Sequence, residues 1–173
     1  MRIRIRSFNI YLLAAFAAVA LGCKSPEASK KAKEASSLRL HLEANPDGNS
    51  RTTTASIFRE KPFLVTINRE PFLTEIDLEN ATLVRVQGGF AIQVQFNRHG
   101  TLILENVTLA NRGRHIAILS QFPESRWLAA PLLSRRIADG TLVFTPDATE
   151  EESQRIVRGL TNFVAEVKKR SKF

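Results

Sequence analysis

Only one 12-residue stretch of this 173-residue chain consists wholly of apolar residues, and the sole cysteine sits just past its end. Ile10 to Leu21 is an uncharged run of 12 residues rich in Leu and Ala, preceded by Arg2, Arg4 and Arg6. As a helix it would span about 18 Å, short of a bilayer core of roughly 30 Å. A basic start followed by a short apolar run is the pattern of a secretory signal peptide. No later run approaches the roughly 18 apolar residues of a membrane span. Whatever folds must therefore do so downstream of Cys23.

The residues closing the run, Val19-Ala20-Leu21-Gly22-Cys23, resemble a bacterial lipobox, with Ala20 where leucine is usual. In that reading residues 1–22 are removed and Cys23 becomes a lipid-modified N-terminus outside the cytoplasm. More than one acyl chain would hold it durably to the membrane. The protein would then lie in the bacterial envelope, facing the periplasm or the cell exterior. An ordinary signal peptide with a chance cysteine, or an uncleaved anchor, are the alternatives. A lone cysteine also rules out an internal disulfide and a cysteine-based metal cluster.

The net charge of +8 and the pI near 10.2 invite a nucleic-acid reading. The excess, however, lies outside the part able to fold. Ser37 to Val167 holds 14 Lys and Arg against 15 Asp and Glu. A phosphate-binding face needs clustered cations, so nucleic acid is set aside as a partner. Residues 24–37, KSPEASKKAKEASS, have no large apolar side chain to offset the entropy of ordering, which makes 23–37 a lipid anchor and flexible linker. Its root-mean-square reach is roughly 20 Å.

Residues 38–170 read as one domain. Leu38, Leu40 and Leu42 alternate with Arg39, His41 and Glu43, the period of a half-buried strand. After the turn-rich Asn45 to Asn49 come a Thr-rich strand to Phe58 and a second from Pro62 to Ile67. Thr74 with Asp77 caps a short helical turn over Glu75 to Asn80, and Leu83 to Gln87 is a strand. Gly88-Gly89 then turns into Phe90 to Phe96, whose even positions are apolar and whose Gln93 and Gln95 are polar. Asn97 caps a helix to about Asn111, stopped near Gly113. Ile116 to Leu119 and Trp127 to Leu133 are apolar runs, and Asp139-Gly140 signals a hairpin before Leu142-Val143-Phe144. Thr149 caps the last helix, with Glu150 to Glu152 at its start, an Ile156, Val157, Leu160, Phe163, Val164 and Val167 stripe, and Lys168 to Arg170 at its end. The class is α+β, a mixed or antiparallel sheet with two main helices.

The order of these features resembles a known family. Gly88-Gly89, a strand, a helix carrying Thr108, Asn111 and Gly113-Arg114, the strand Ala117-Ile118-Leu119, Ala129-Ala130-Pro131, Gly140, and Thr149 with Glu151-Glu152 are similar to the head subdomain of the first periplasmic domain of SecD, or of fused SecDF, the auxiliary component of the preprotein translocase. Pro71 to Ala81 resembles the family's entry segment, so the likeness runs from about Pro71 to Leu160. The chain departs from it at Ser120 to Arg126, which replaces an Asp-Gly turn. The resemblance implies a domain that holds emerging or unfolded polypeptide, with translocase subunits as partners, without the membrane helices that drive transport.

Catalytic patterns are missing: there is no Gly-x-Ser-x-Gly, no His-Glu-x-x-His and no phosphate loop. His41, His99 and His115 are scattered and read as structural. No enzyme, cofactor or metal site is expected. The candidate polypeptide-binding residues are Phe122, Arg126 and Trp127, beside strand edges to which an extended chain could add. Competing with this, Trp127 packs in the core and Phe122 pins the loop. The rival function is an envelope scaffold unrelated to secretion that docks a membrane partner, its basic C-terminus touching anionic lipid.

Overall fold

The computed structural model describes residues 34–46, 51–58, 60–122 and 124–170. The signal peptide, Cys23, the tether to residue 33, part of the Asn45 to Asn49 turn and Lys172 lie outside them. Nine strands and two helices follow in order: β1 (Ser37–Leu42), β2 (Thr52–Ile57), β3 (Phe63–Asn68), β4 (Leu73–Thr74), a 3-10 turn (Glu75–Asp77), β5 (Leu78–Val86), β6 (Gly89–Phe96), α1 (Arg98–Ala110), β7 (Ile116–Gln121), β8 (Ser125–Ala129), β9 (Thr141–Phe144) and α2 (Glu150–Arg170). The α+β class expected from the sequence is the class observed. The strands divide into three antiparallel sheets, β4-β1-β7-β8, β2-β3 and β5-β6-β9.

Alternation in β1 decides the architecture. Leu38 and Leu40 are fully buried in a core shared with Ile92, Val94 and Phe96 of β6, Leu104 of α1, and Ile156, Leu160 and Val164 of α2. The other face of the same sheet is covered as well. There the β2–β3 hairpin brings Ala55, Ile57, Val65 and Ile67 onto Ala117, with Trp127 and Ala130 alongside. This explains why Ile116-Ala117-Ile118 is a continuous apolar run: β7 is buried on both faces.

Both helices begin where their caps predict. The Asn97 side chain accepts from the Gly100 amide at 2.9 Å. Thr149 and Glu152 form a reciprocal capping box: Thr149 Oγ1 accepts from the Glu152 amide at 3.2 Å, and Glu152 Oε2 from the Thr149 amide at 2.9 Å.

Four expectations need correction. Residues 34–37, assigned above to the linker, belong to the domain: Glu34 accepts from Arg155 Nε at 3.3 Å and Arg158 Nε at 2.7 Å, Asn162 Nδ2 donates to its carbonyl at 2.9 Å, and Ser36 is buried. The turn at Glu75 stops at Asp77, because Leu78 and Ala81 are drawn into the core as part of β5. The Trp127 to Leu133 run leaves the strand at Ala129, and Leu132 forms only an isolated bridge with His115. Asp139-Gly140 closes no hairpin, since β9 pairs with β6 rather than β8. Gly140 is needed for a different reason: its φ of +70° and its tight packing on Thr101 leave no room for a Cβ.

Candidate polypeptide-binding surface

Phe122, Arg126 and Trp127 are not brought to one place. Alternation along β8 sends neighbours to opposite sides of the sheet. Arg126 points toward α2 and pairs with Glu152 at 3.2 Å. Phe122 packs against the main core, with the Arg155 guanidinium 4.9 Å from its ring centre. Trp127, paired in register with Leu119, lies on the far side beneath the β2–β3 hairpin.

Beneath that hairpin Trp127 meets His41. The rings stand edge to face with centres 5.3 Å apart. His41 Nδ1 lies 2.9 Å from the Asn68 carbonyl, which can only accept, so Nδ1 carries a proton and donates it there. Its Nε2 is buried with no hydrogen-bond partner. Burial, aided by the nearby charge of Arg39, lowers the His41 pKa below the usual 6.5 despite the Asn68 bond. The folded state therefore takes up this proton less readily than the unfolded one. The contribution of His41 to stability is complete above the unfolded value of 6.5 and is lost as pH falls from there toward the folded value. Urea unfolding at pH 7.5 and 5.0 should show this loss of stability in the native chain, and His41→Phe, with His99 and His115 retained, should flatten it. An equal loss in the variant would remove His41 as the cause.

At the start of β7, Glu43 Oε2 accepts from both the His115 amide and Nδ1, each at 2.7 Å. Burial raises the Glu43 pKa, but these bonds and the charges of His115 and Arg114 outweigh it and hold the carboxyl below its usual range. The pair fixes the end of β1 against β7 and positions the His115 ring, on which Phe63 stacks edge-on at 5.3 Å.

The closing end of the hairpin leaves apolar surface uncovered. Phe58, Phe63 and Leu64 are 44%, 42% and 65% exposed. Among the described residues Phe58 is the one non-glycine with positive φ, at 65°. That conformation costs a bulky side chain about 1 kcal/mol or more and is typical of functional positions. Sequence reasoning missed this cluster because each residue reads as an ordinary strand residue. Its only trace is Phe58 standing directly before the polar turn Arg59-Glu60-Lys61-Pro62. Among the described residues no group of three His, Cys, Asp or Glu could hold a metal, and no helix is long and apolar enough to cross a membrane.

No curated protein matches the chain. Solved structures similar in fold include two of SecDF. One is of SecDF, described as a membrane component that enhances protein export, with 22% identity and a TM-score of 0.57, covering 82% of this chain and 71% of that one. The other is SecDF in a super-membrane-facing form, with 21% identity and a TM-score of 0.57; the match covers 80% of this chain but only 21% of that longer one. The family model of the SecDF P1 head subdomain matches residues 51–161. The chain belongs to the SecDF P1 head subdomain family.

Proposed function

We propose that this chain is a non-enzymatic envelope lipoprotein, anchored through Cys23, that binds extended segments of exported polypeptide at the closing end of the β2–β3 hairpin. The observation that carries the reading is the exposed trio Phe58, Phe63 and Leu64, with Phe58 held in a strained backbone conformation. Apolar side chains on a narrow hairpin suit a partner that offers scattered apolar residues on a flexible backbone. Trp127 supports this surface from beneath, through the hairpin it packs against. Kinship with SecDF makes polypeptide in transit the partner of choice over a folded scaffold protein.

The test is fluorescence anisotropy with a reduced, carboxymethylated polypeptide that stays unfolded in buffer. Phe58→Asn combined with Leu64→Ser should weaken binding roughly tenfold, the effect of losing a principal apolar contact. Stability should not fall, since asparagine tolerates positive φ better than phenylalanine. Unchanged affinity would overturn this placement. Phe122→Ala and Arg126→Ala examine the competing one: a loss there, with the hairpin variant unaffected, would move the surface to the α2 side.

A further inference from the structure

We infer that an extended, acid-bearing peptide segment of another chain inserts as a strand between β9 and residues 131–133, pairing with both. The site shares no residue with the hairpin surface proposed above and works through backbone groups instead of apolar side chains, so it goes beyond that reading.

Its basis is two strand edges left open toward one groove. On the first, the Phe96 amide donates to the Gly140 carbonyl at 2.9 Å, and the β6–β9 register continues through Val94↔Leu142 and Ile92↔Phe144. Backbone groups alternate sides along a strand, so Gly140, Leu142 and Phe144 bond to β6 while Thr141 and Val143 turn theirs away from it. The Thr141 amide accordingly donates to Asp139 Oδ1 at 3.1 Å. Val143 keeps its N–H and C=O without a strand partner. On the second edge, Leu132 bridges to His115 between two bonds, the Ile116 amide on the Pro131 carbonyl at 3.0 Å and the Leu133 amide on the Arg114 carbonyl at 2.8 Å. The same alternation turns the N–H and C=O of Leu132 away from His115.

The two edges are joined where the Asp147 amide donates to the Leu128 carbonyl at 2.7 Å. Leu132 lies four positions after Leu128 and Val143 four before Asp147, and here a groove of about 220 Å³ separates the chains. Leu133 and Leu142 line it from the core, while Leu132 and Val143 are 54% and 46% exposed. The walls run antiparallel to each other, so a strand between them is antiparallel to one and parallel to the other. In that arrangement the residue level with Leu132 and Val143 bonds to one of them and its two neighbours bond to the other. Both open edges are then satisfied at once, which needs donors and acceptors on both sides of the ligand. An extended peptide backbone has them.

Charge sets the preferred side chain. Arg135 stands exposed on the groove rim with no ion-pair partner among the described residues, whereas Arg136 is taken by Glu105 and Asp139 by the Thr141 amide. An acidic side chain on the inserted strand complements Arg135.

The experiment uses the full chain in mild detergent and a short fluorescein-labelled peptide alternating Val and Thr about a central Glu. Binding should slow amide exchange at Leu132 and Val143 together. Methylating alternate peptide nitrogens, in either phase, should weaken affinity roughly tenfold by removing bonds to one wall. Val143→Pro, at an edge position whose N–H is outside the β6 ladder, should do the same. Arg135→Glu should weaken binding several-fold, and less for a peptide with Gln in place of Glu. Phe58→Asn with Leu64→Ser should leave affinity unchanged; a loss there with Val143→Pro unaffected would put the peptide on the hairpin and overturn the inference. Equal affinity of the methylated peptides would overturn it too, and needs no variant to fold. Protection at only one of the two amides would overturn insertion. Self-association abolished by Val143→Pro, without peptide binding, would give the edge to a second copy and overturn it as well.

Discussion

Gly159→Ala is expected to destabilise the domain by about 2 kcal/mol, although alanine is the better helix former by about 1 kcal/mol. The reason is the segment that enters β1. A Cβ at position 159 would crowd Ser36 Oγ and would lie 2.8 Å from the Ser36 nitrogen and 3.0 Å from the Ala35 carbonyl carbon. The hydroxyl could rotate away. The two backbone atoms cannot move unless residues 34–36 lift off α2. Lifting them exposes Ser36, breaks the Glu34 contacts with Arg155, Arg158 and Asn162, and strains the first β1–β7 pairs, Ser37↔Gln121 and Leu38↔Ser120. Equilibrium urea unfolding checks the sign, and hydrogen exchange at the Leu38 and Arg39 amides should accelerate with it. A gain of stability in Gly159→Ala would mean that propensity dominates and that the entry segment is not seated on the helix.

The elements that local chemistry specifies were legible in advance. β1 and β6 show in their alternation, α1 in Asn97, and α2 in the Thr149–Glu152 box with its apolar stripe. What was not legible depends on contacts between distant segments. Glu34 and Ser36 look like linker because their partners lie more than 120 positions away on α2. β5 starts at Leu78 because β6 offers a partner for it, and nothing in Glu75 to Asn80 alone announces that. Asp139-Gly140 has the composition of a hairpin, yet the strand it introduces pairs across to β6. The candidate site failed to assemble for the simplest reason. Arg126 and Trp127 are adjacent in sequence and therefore on opposite faces of a strand, and only the hairpin packing tells which face is covered. Phe58 gave no signal because a strained φ is a property of the fold and not of the residue.

Trp127→Ala should cost about 2 kcal/mol, below the usual toll of emptying a fully buried aromatic site because the indole is half-buried, and the damage should be local. The cluster under the hairpin is small: Ala55, Ile57, Val65, Ile67 and Ala117, closed by Trp127 and Ala130. None of its other members is large enough to fill an indole-sized void. Beyond that cluster the hairpin is held by the Glu43↔Ile67 bridge, the Ala44 amide on the Thr66 carbonyl at 2.8 Å, and the His41 contact with Asn68. These lie at the Asn68 end of β3, whereas at the closing end the Phe63 ring meets His115 edge-on. Removing Trp127 should therefore loosen the closing end of the hairpin more than its base. Amide exchange should rise across β2 and the first half of β3, with sheet β5-β6-β9 little changed. Uniform acceleration would instead mean that the two cores unfold as one unit. Protection retained in β2 would mean that the base contacts suffice without the cluster. Loss of polypeptide affinity in Trp127→Ala would follow from a displaced hairpin whether or not the indole touches the ligand. Trp127→Phe, which keeps an aromatic ring under the strands, separates the two: affinity preserved in that variant, and lost in Phe58→Asn with Leu64→Ser, assigns Trp127 to support and the exposed hairpin end to contact.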